Sequence, residues 1–184
     1  MKMFIPMADG QSISKEVILS LGKQTEPIDI VPACTEGVVK SNREVISSRD
    51  IIRKHVCEWN SRRKIFKLIS DSSFIDSYFG MCDSDIIFLH EDSIAKAIQF
   101  LEDNKDYVGV ALLPLGSGIS NGHIRMCVGV YRTSMMKNVE FEIDYETFGC
   151  KCDQYKDRLI KIGKWDYLPC EKGLVREIIS VINI

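Results

Sequence analysis

The apolar positions of this chain change period several times, and each change predicts an element. Met3 to Met7 is a short apolar run closed by Ala-Asp-Gly, after which Val17, Ile18 and Leu21 fall on one face of a helix that Ser12 or Ser14 would cap. Gly22 to Pro27 breaks that helix, Ile28 to Ala33 reads as a second strand, and the Thr-Glu-Gly beyond it reads as a turn. Ser41 to Trp59 has apolar residues at 45, 52, 56 and 59 with Arg49, Arg53 and Lys54 between them, the spacing of a second helix. Ile65 to Ile69 fits a strand or an irregular connection, and Ser72 to Tyr78 is too short and mixed to assign.

Gly80 to Leu89 reads as one strand with Asp83 and Asp85 embedded in it, and Asp92 to Leu101 as an amphipathic helix. Val108 to Leu113 has a buried-strand pattern, Gly116 to Gly122 is turn chemistry that predicts a loop able to close over a ligand, and Arg125 to Tyr131 resumes as a strand. Asp153 to Gly163 is helical with a glycine stop, Asp166 to Leu168 fits a short strand, and Leu174 to Ile184 reads as an apolar final helix covering the core. Strands alternating with helices predict an α/β domain over residues 1–184, its mainly parallel central sheet flanked by helices. Ligands of such a sheet belong at the carboxyl ends of its strands.

Charge and cysteine content narrow the chemistry. The chain has 184 residues, with 24 Lys and Arg against 26 Asp and Glu and a net charge of −2, which argues against nucleic acid held by counterion release. Seven cysteines without a CxxC pair, and no apolar signal segment at the start, predict reduced thiols and a cytoplasmic protein. Cys150 and Cys152 have only His55, His90 and His123 elsewhere to complete a zinc site, so zinc is not expected. No apolar run approaches the ~20 residues of a membrane-spanning helix.

Asp83 and Asp85, two apart at a strand end, can jointly hold one hard cation, Mg2+ or Mn2+, whose remaining positions go to water and phosphate oxygens. Chance alone supplies about four acid-x-acid triplets at this composition. Only 83/85, however, is Asp-x-Asp within an apolar run, whereas 140/142, 142/144 and 144/146 are not. From Lys40 to Lys67 there are nine Lys or Arg against three acids, a basic stretch that suits a phosphate ligand or, equally, a solvated helix face.

Taken in order, several segments resemble glycosyltransferase family 2, the nucleotide-diphospho-sugar transferases with a GT-A fold. Leu19-Ser-Leu-Gly-Lys-Gln-Thr25 followed by Ile28 to Val31 resembles the family's Ser-Leu-x-x-Gln-Thr ahead of strand two. Ser48-Arg49-Asp50 is similar to its Ala-Arg-Asn, and Met81-Cys-Asp-Ser-Asp-Ile-Ile-Phe88 to the segment with its metal-binding Asp-x-Asp. Gly129 to Phe141 resembles the family's acceptor-side wall, and Cys152-Asp153 through Arg158-Leu to Gly163 resembles Glu-Asp-x-x-x-x-x-Arg-Leu-x-x-x-Gly. Two departures stand out: Pro32-Ala-Cys-Thr-Glu-Gly37 occupies the place of Asp-Asp-Gly-Ser, and Cys152-Asp153 that of the acid pair.

The resemblance implies a metal-dependent, inverting transfer of a sugar from a nucleotide-diphosphate donor to the hydroxyl of a glycan, lipid or protein, a hexosyltransferase-like activity. It implies Asp83 and Asp85 as ligands of a divalent cation, with Asp83, Arg49 and Glu36 as substrate-binding residues and Asp153 as the base. Asp153 has a plainer reading as a helix N-cap. Rival readings are a degenerate or partner-dependent module of the same fold without activity, and a sugar-nucleotide-forming nucleotidyltransferase. The latter wants a glycine-rich basic loop where Met7-Ala-Asp-Gly-Gln-Ser stands. A homo-oligomer or partner subunit stays open.

Overall fold

The computed structural model describes residues 1–7, 12–34, 61–71, 73–112, 128–137, 139, 151–169 and 173–177. The expected helix from Ser41 to Trp59 and the loop from Gly116 to Gly122 lie outside them. β1 (Lys2–Met7), β2 (Asp29–Cys34), β3 (Tyr78–Cys82), β5 (Tyr107–Ala111), β6 (Val128–Arg132) and β7 (Lys164–Tyr167) form one sheet in the order β2-β1-β3-β6-β5-β7. All run parallel except β6, which lies antiparallel to both β3 and β5. The mainly parallel α/β sheet expected from the sequence is therefore present.

Alternation along the strands divides the core in two. Met3, Ile5 and Met7 of β1 point to one face with Val128 and Val130, where α1 (Lys15–Gly22) adds Val17 and Leu21 and α3 (Ser93–Asp103) adds Ile94, Ala97 and Leu101. Phe4, Phe79, Met81, Tyr131 and Trp165 point to the other face, covered by α2 (residues 61–70) with Ile65, Phe66 and Ile69 and by α5 (Lys151–Leu159) with Tyr155 and Leu159. Helices on both faces bury the inner strands twice, which is why β1 and β3 read as continuous apolar runs.

Ser14 is the cap of α1, its hydroxyl accepting from Val17 N at 3.2 Å. Ile18, expected on the buried face with Val17 and Leu21, is exposed instead, because it falls outside the stripe that meets the sheet. Ile65 to Ile69, left between strand and connection by pattern alone, is helical, and a short helix α4 (Thr133–Met136) follows β6 directly. The start of the expected terminal helix is a strand instead: β8 (Val175–Glu177) pairs antiparallel with β4 (Ile86–Phe88) in a second, two-stranded sheet, and residues 178–184 lie outside the described residues.

On the second face an aromatic layer crosses the sheet. Tyr131 stacks on Trp165 at 4.9 Å and on Phe79 at 5.2 Å between ring centroids. The large rings fit because β5 and β6 carry glycine beneath them: a Cβ on Gly109 would stand 2.7 Å from Val130 O and 2.8 Å from Trp165 Cζ3, and one on Gly129 2.9 Å from Trp165 Cη2. The conflict at Gly109 involves backbone, which cannot yield. Gly109→Ala is therefore expected to destabilise by about 1–3 kcal/mol. Gly22→Ala, whose Cβ meets nothing within 4 Å, is expected to stabilise by about 0.4–1 kcal/mol through the unfolded chain. Denaturant midpoints of the two variants moving in the same direction would contradict this packing.

Candidate functional site

The two acids do not sit within a strand. β3 ends at Cys82, and Ile86 N donates to Asp83 O at 3.3 Å, a turn that redirects the chain out of the large sheet into β4. The single strand expected from Gly80 to Leu89 is thus two strands in two sheets, with Asp83, Ser84 and Asp85 in the turn between them. Asp83 is half-buried and Asp85 exposed, so neither carries the cost of a charge embedded in an apolar strand. The turn lies at the carboxyl end of β3, where an α/β sheet receives ligands.

The chain beyond the turn is held by the segment that resembled Ser-Leu-x-x-Gln-Thr. Ser20 Oγ accepts from Phe88 N at 3.1 Å, and Gln24 donates through Nε2 to His90 O at 2.9 Å and accepts at Oε1 from Ile94 N at 3.2 Å. Thr25 N donates to Glu91 O at 2.7 Å. These residues fix the path away from the acids and the entry into α3.

A cation stands against the turn from beneath. Arg62 of α2 donates through Nη2 to Asp83 Oδ1, with its side chain 6% exposed against 33% for Asp83. Ser61 Oγ, buried, donates to Met7 O at 2.9 Å, fastening α2 to the end of β1. Burial is the largest single influence and pulls the Arg62 guanidinium down, but Asp83 together with the smaller contributions of Tyr131, Cys152 and Tyr155 outweighs it, so the group is held above its ordinary range. Tyr131 and Tyr155, both fully buried, belong to the surroundings of that charge, and burial raises both phenols above their ordinary range.

Of the residues singled out by sequence, Asp83 and Asp85 share this turn, and Glu36 and Arg49 lie outside the described residues. Asp153 is exposed in the first turn of α5, as its third residue and not as its N-cap. Two residues along the same helix, Tyr155 packs its ring on Phe66 of α2 at 5.1 Å, so the helix of Asp153 and the helix of Arg62 are neighbours. Arg62 itself was missed: its signal, Ser-Arg-Arg ahead of Ile65, Phe66 and Ile69 at helical spacing, lay in a stretch the pattern left unassigned.

Among the described residues no group of three or more His, Cys, Asp or Glu side chains forms a cage for a metal ion. Two carboxylates on an open turn offer hard oxygen donors suited to Mg2+ or Mn2+ shared with a substrate's phosphates, not to a metal enclosed by protein alone. A different concavity of about 670 Å³ opens at the far end of β3, lined by Tyr78, Glu102, Lys105, Arg132, Thr133 and Lys137 among others. There Tyr78 donates to Glu102, and Arg132 donates to Tyr78 Oη at 3.0 Å and to Tyr107 O at 3.3 Å, groups that brace one another at the strand ends. No helix among the described residues is long and apolar enough to cross a membrane.

Solved structures share this fold. S. aureus TarS 1–349 in complex with UDP matches with a TM-score of 0.59 over 97% of this chain and 60% of its own, at 13% identity. The complex of TarS 1–349 with UDP-GlcNAc matches at 0.57 over 95% and 57%, also at 13% identity. The mannosyltransferase PcManGT from Pyrobaculum calidifontis, in complex with GDP-Man and Mn2+, matches at 0.59 over 91% and 54%, at 9% identity. At such identities the likeness is one of fold, the GT-A arrangement of these glycosyltransferases, and the chain spans 60% or less of each of these neighbours. No protein-family model matches the chain, and no curated protein does.

The pair of Arg62 with Asp83 separates the two acids by experiment. Asp83→Ala leaves a buried guanidinium without its carboxylate and is expected to destabilise by about 2 kcal/mol or more, below the 3–5 kcal/mol of a fully buried pair because Asp83 is partly solvated. Asp85→Ala, at an exposed position, is expected to cost less than Asp83→Ala because solvent screens an exposed carboxylate. Thermal melts giving equal losses for both variants would contradict the pairing.

Proposed function

We propose that residues 1–184 form a glycosyltransferase domain that moves a sugar from a nucleotide-diphosphate donor to an acceptor hydroxyl. One observation carries the reading: the Asp83–Asp85 turn, backed by Arg62, stands at the carboxyl end of a central strand in a fold shared with proteins solved around UDP, UDP-GlcNAc and GDP-Man. The acids and the arginine offer both signs of charge that a diphosphate with a divalent cation requires.

Asp83 and Asp85 would hold Mn2+ or Mg2+ together with the diphosphate oxygens, and such an ion neutralises the charge that builds as the nucleoside diphosphate departs. Arg62 adds a fixed positive charge behind the same turn, electrostatic support that needs no rearrangement during reaction. Arg49 and Glu36 remain our candidates for phosphate and nucleoside contacts. Asp153 takes the acceptor hydroxyl's proton as that oxygen bonds to the anomeric carbon. The bond from that carbon to the phosphate oxygen breaks with its electrons on the leaving nucleoside diphosphate. One displacement from the opposite side inverts the centre, and no covalent enzyme intermediate forms.

Two measurements test this. Calorimetric titration with UDP, GDP and a dTDP nucleotide, each with and without Mn2+, is expected to show metal-dependent binding of one of them. No binding of any would refute the donor assignment. Asp153→Asn keeps shape and helix position while removing the proton acceptor, so release of nucleoside diphosphate in the presence of acceptor is expected to fall about 10²-fold with donor affinity unchanged. Donor binding without turnover in the parent would favour the non-catalytic module of the same fold.

A further inference from the structure

The positive charge behind the acid turn is held there by packing and hydrogen bonds. Arg62 enters from the buried face on α2, Ser61 beside it is bonded to β1, and Phe66 one turn further on lies against Tyr155. Tyr131 and Tyr155, with exposures of 0% and 1%, close over this layer, and Tyr131 is itself pinned between Phe79 and Trp165. Burial raises both phenols above their ordinary range, and a guanidinium does not deprotonate in proteins, so the unit charge belongs to the turn.

That charge alters what the two carboxylates can capture. Arg62, Asp83 and Asp85 together carry −1, whereas the carboxylates alone would carry −2. A divalent cation arriving unaccompanied needs an oxygen of Asp83 while the guanidinium already occupies Oδ1 of the same group. A unit positive charge about 6 Å from a dication weakens its binding about tenfold even at the dielectric of bulk water, and more where the surroundings are partly dry. A nucleoside diphosphate reverses the balance, because it brings both negative charge and further oxygen ligands.

We propose, resting on the nucleotide-diphosphate reading above, that Arg62 makes capture of a divalent cation at the Asp83–Asp85 turn conditional on a nucleoside diphosphate. Arg62 is thus a positioning residue that couples the two ligands: it suppresses loading by metal alone, and by linkage the metal raises nucleotide affinity by the same factor that nucleotide raises the metal's.

The test is Mn2+ binding to the whole chain, followed by the electron paramagnetic resonance of the free ion, with and without whichever of UDP and GDP the chain binds. The parent is expected to bind Mn2+ alone at least about tenfold more weakly than in the presence of nucleotide. Arg62→Gln keeps an N–H donor for Asp83 and removes the charge, and the partly solvated Asp83 can hydrate in the variant. It is expected to bind Mn2+ alone about tenfold more tightly than the parent, with the coupling factor reduced to match. Arg62→Met serves as the uncharged alternative where Arg62→Gln does not fold, because only a variant without the charge separates its effect from that of the oxygens the nucleotide brings. A parent that binds nucleotide, yet binds Mn2+ equally with and without it or no more weakly than Arg62→Gln does, would overturn the proposal and leave the functional reading standing. A parent that binds no nucleotide under any condition would end both.

Discussion

One ion pair joins the two halves of this molecule's chemistry. Arg62 brings a guanidinium up through the core to Asp83, and Asp83 brings a carboxylate down from a turn open to solvent. A buried charge is tolerated only with its partner, so the conformation of the turn after β3 and the seating of α2 depend on each other. The fold secures both ends: Ser61 ties α2 to β1, and Ser20, Gln24 and Thr25 tie the chain beyond the acids to α1 and its C-terminal flank. A turn held this way is fixed by the protein's own side chains, which is the condition for electrostatic preorganisation.

The aromatic layer beneath the site follows from the same demand. A guanidinium in the core needs neighbours that exclude water without adding charge, and Tyr131 and Tyr155 supply bulk with hydroxyls that burial keeps neutral. Gly109 and Gly129 leave the space into which Trp165 and Tyr131 fit. Tyr155 extends the layer to α5, so the helix that presents Asp153 is seated against the helix that presents Arg62. The two sides of the proposed reaction therefore rest on one packed face of one sheet.

Local signals made much of this legible. β1, β2, α3 and β5 follow from apolar runs punctuated by glycine, proline and Asx residues, and the Ser-Leu-x-x-Gln-Thr likeness pointed to residues whose side chains hold the exit from the acid turn. What escaped was decided at long range. Met81-Cys82 and Ile86 to Phe88 are equally strand-like, so only the pairing of β4 with β8 shows that the chain changes sheets at Asp83. That same pairing turned part of the expected terminal helix into a strand. Arg62 escaped because its meaning comes from a carboxylate 21 residues away, while the motif likeness drew attention to Arg49.

The central claim is that the Asp83 turn with Arg62 behind it is the floor of a nucleotide-diphosphate site. Amide hydrogen exchange of the whole chain, with and without UDP or GDP and Mn2+, tests it most directly. Slowed exchange concentrated at residues 82–88 and at residues 61–64 of α2 is the predicted result. Slowing confined to the strand ends around Tyr78 and Arg132, or no slowing in the presence of a nucleotide shown to bind, would contradict it.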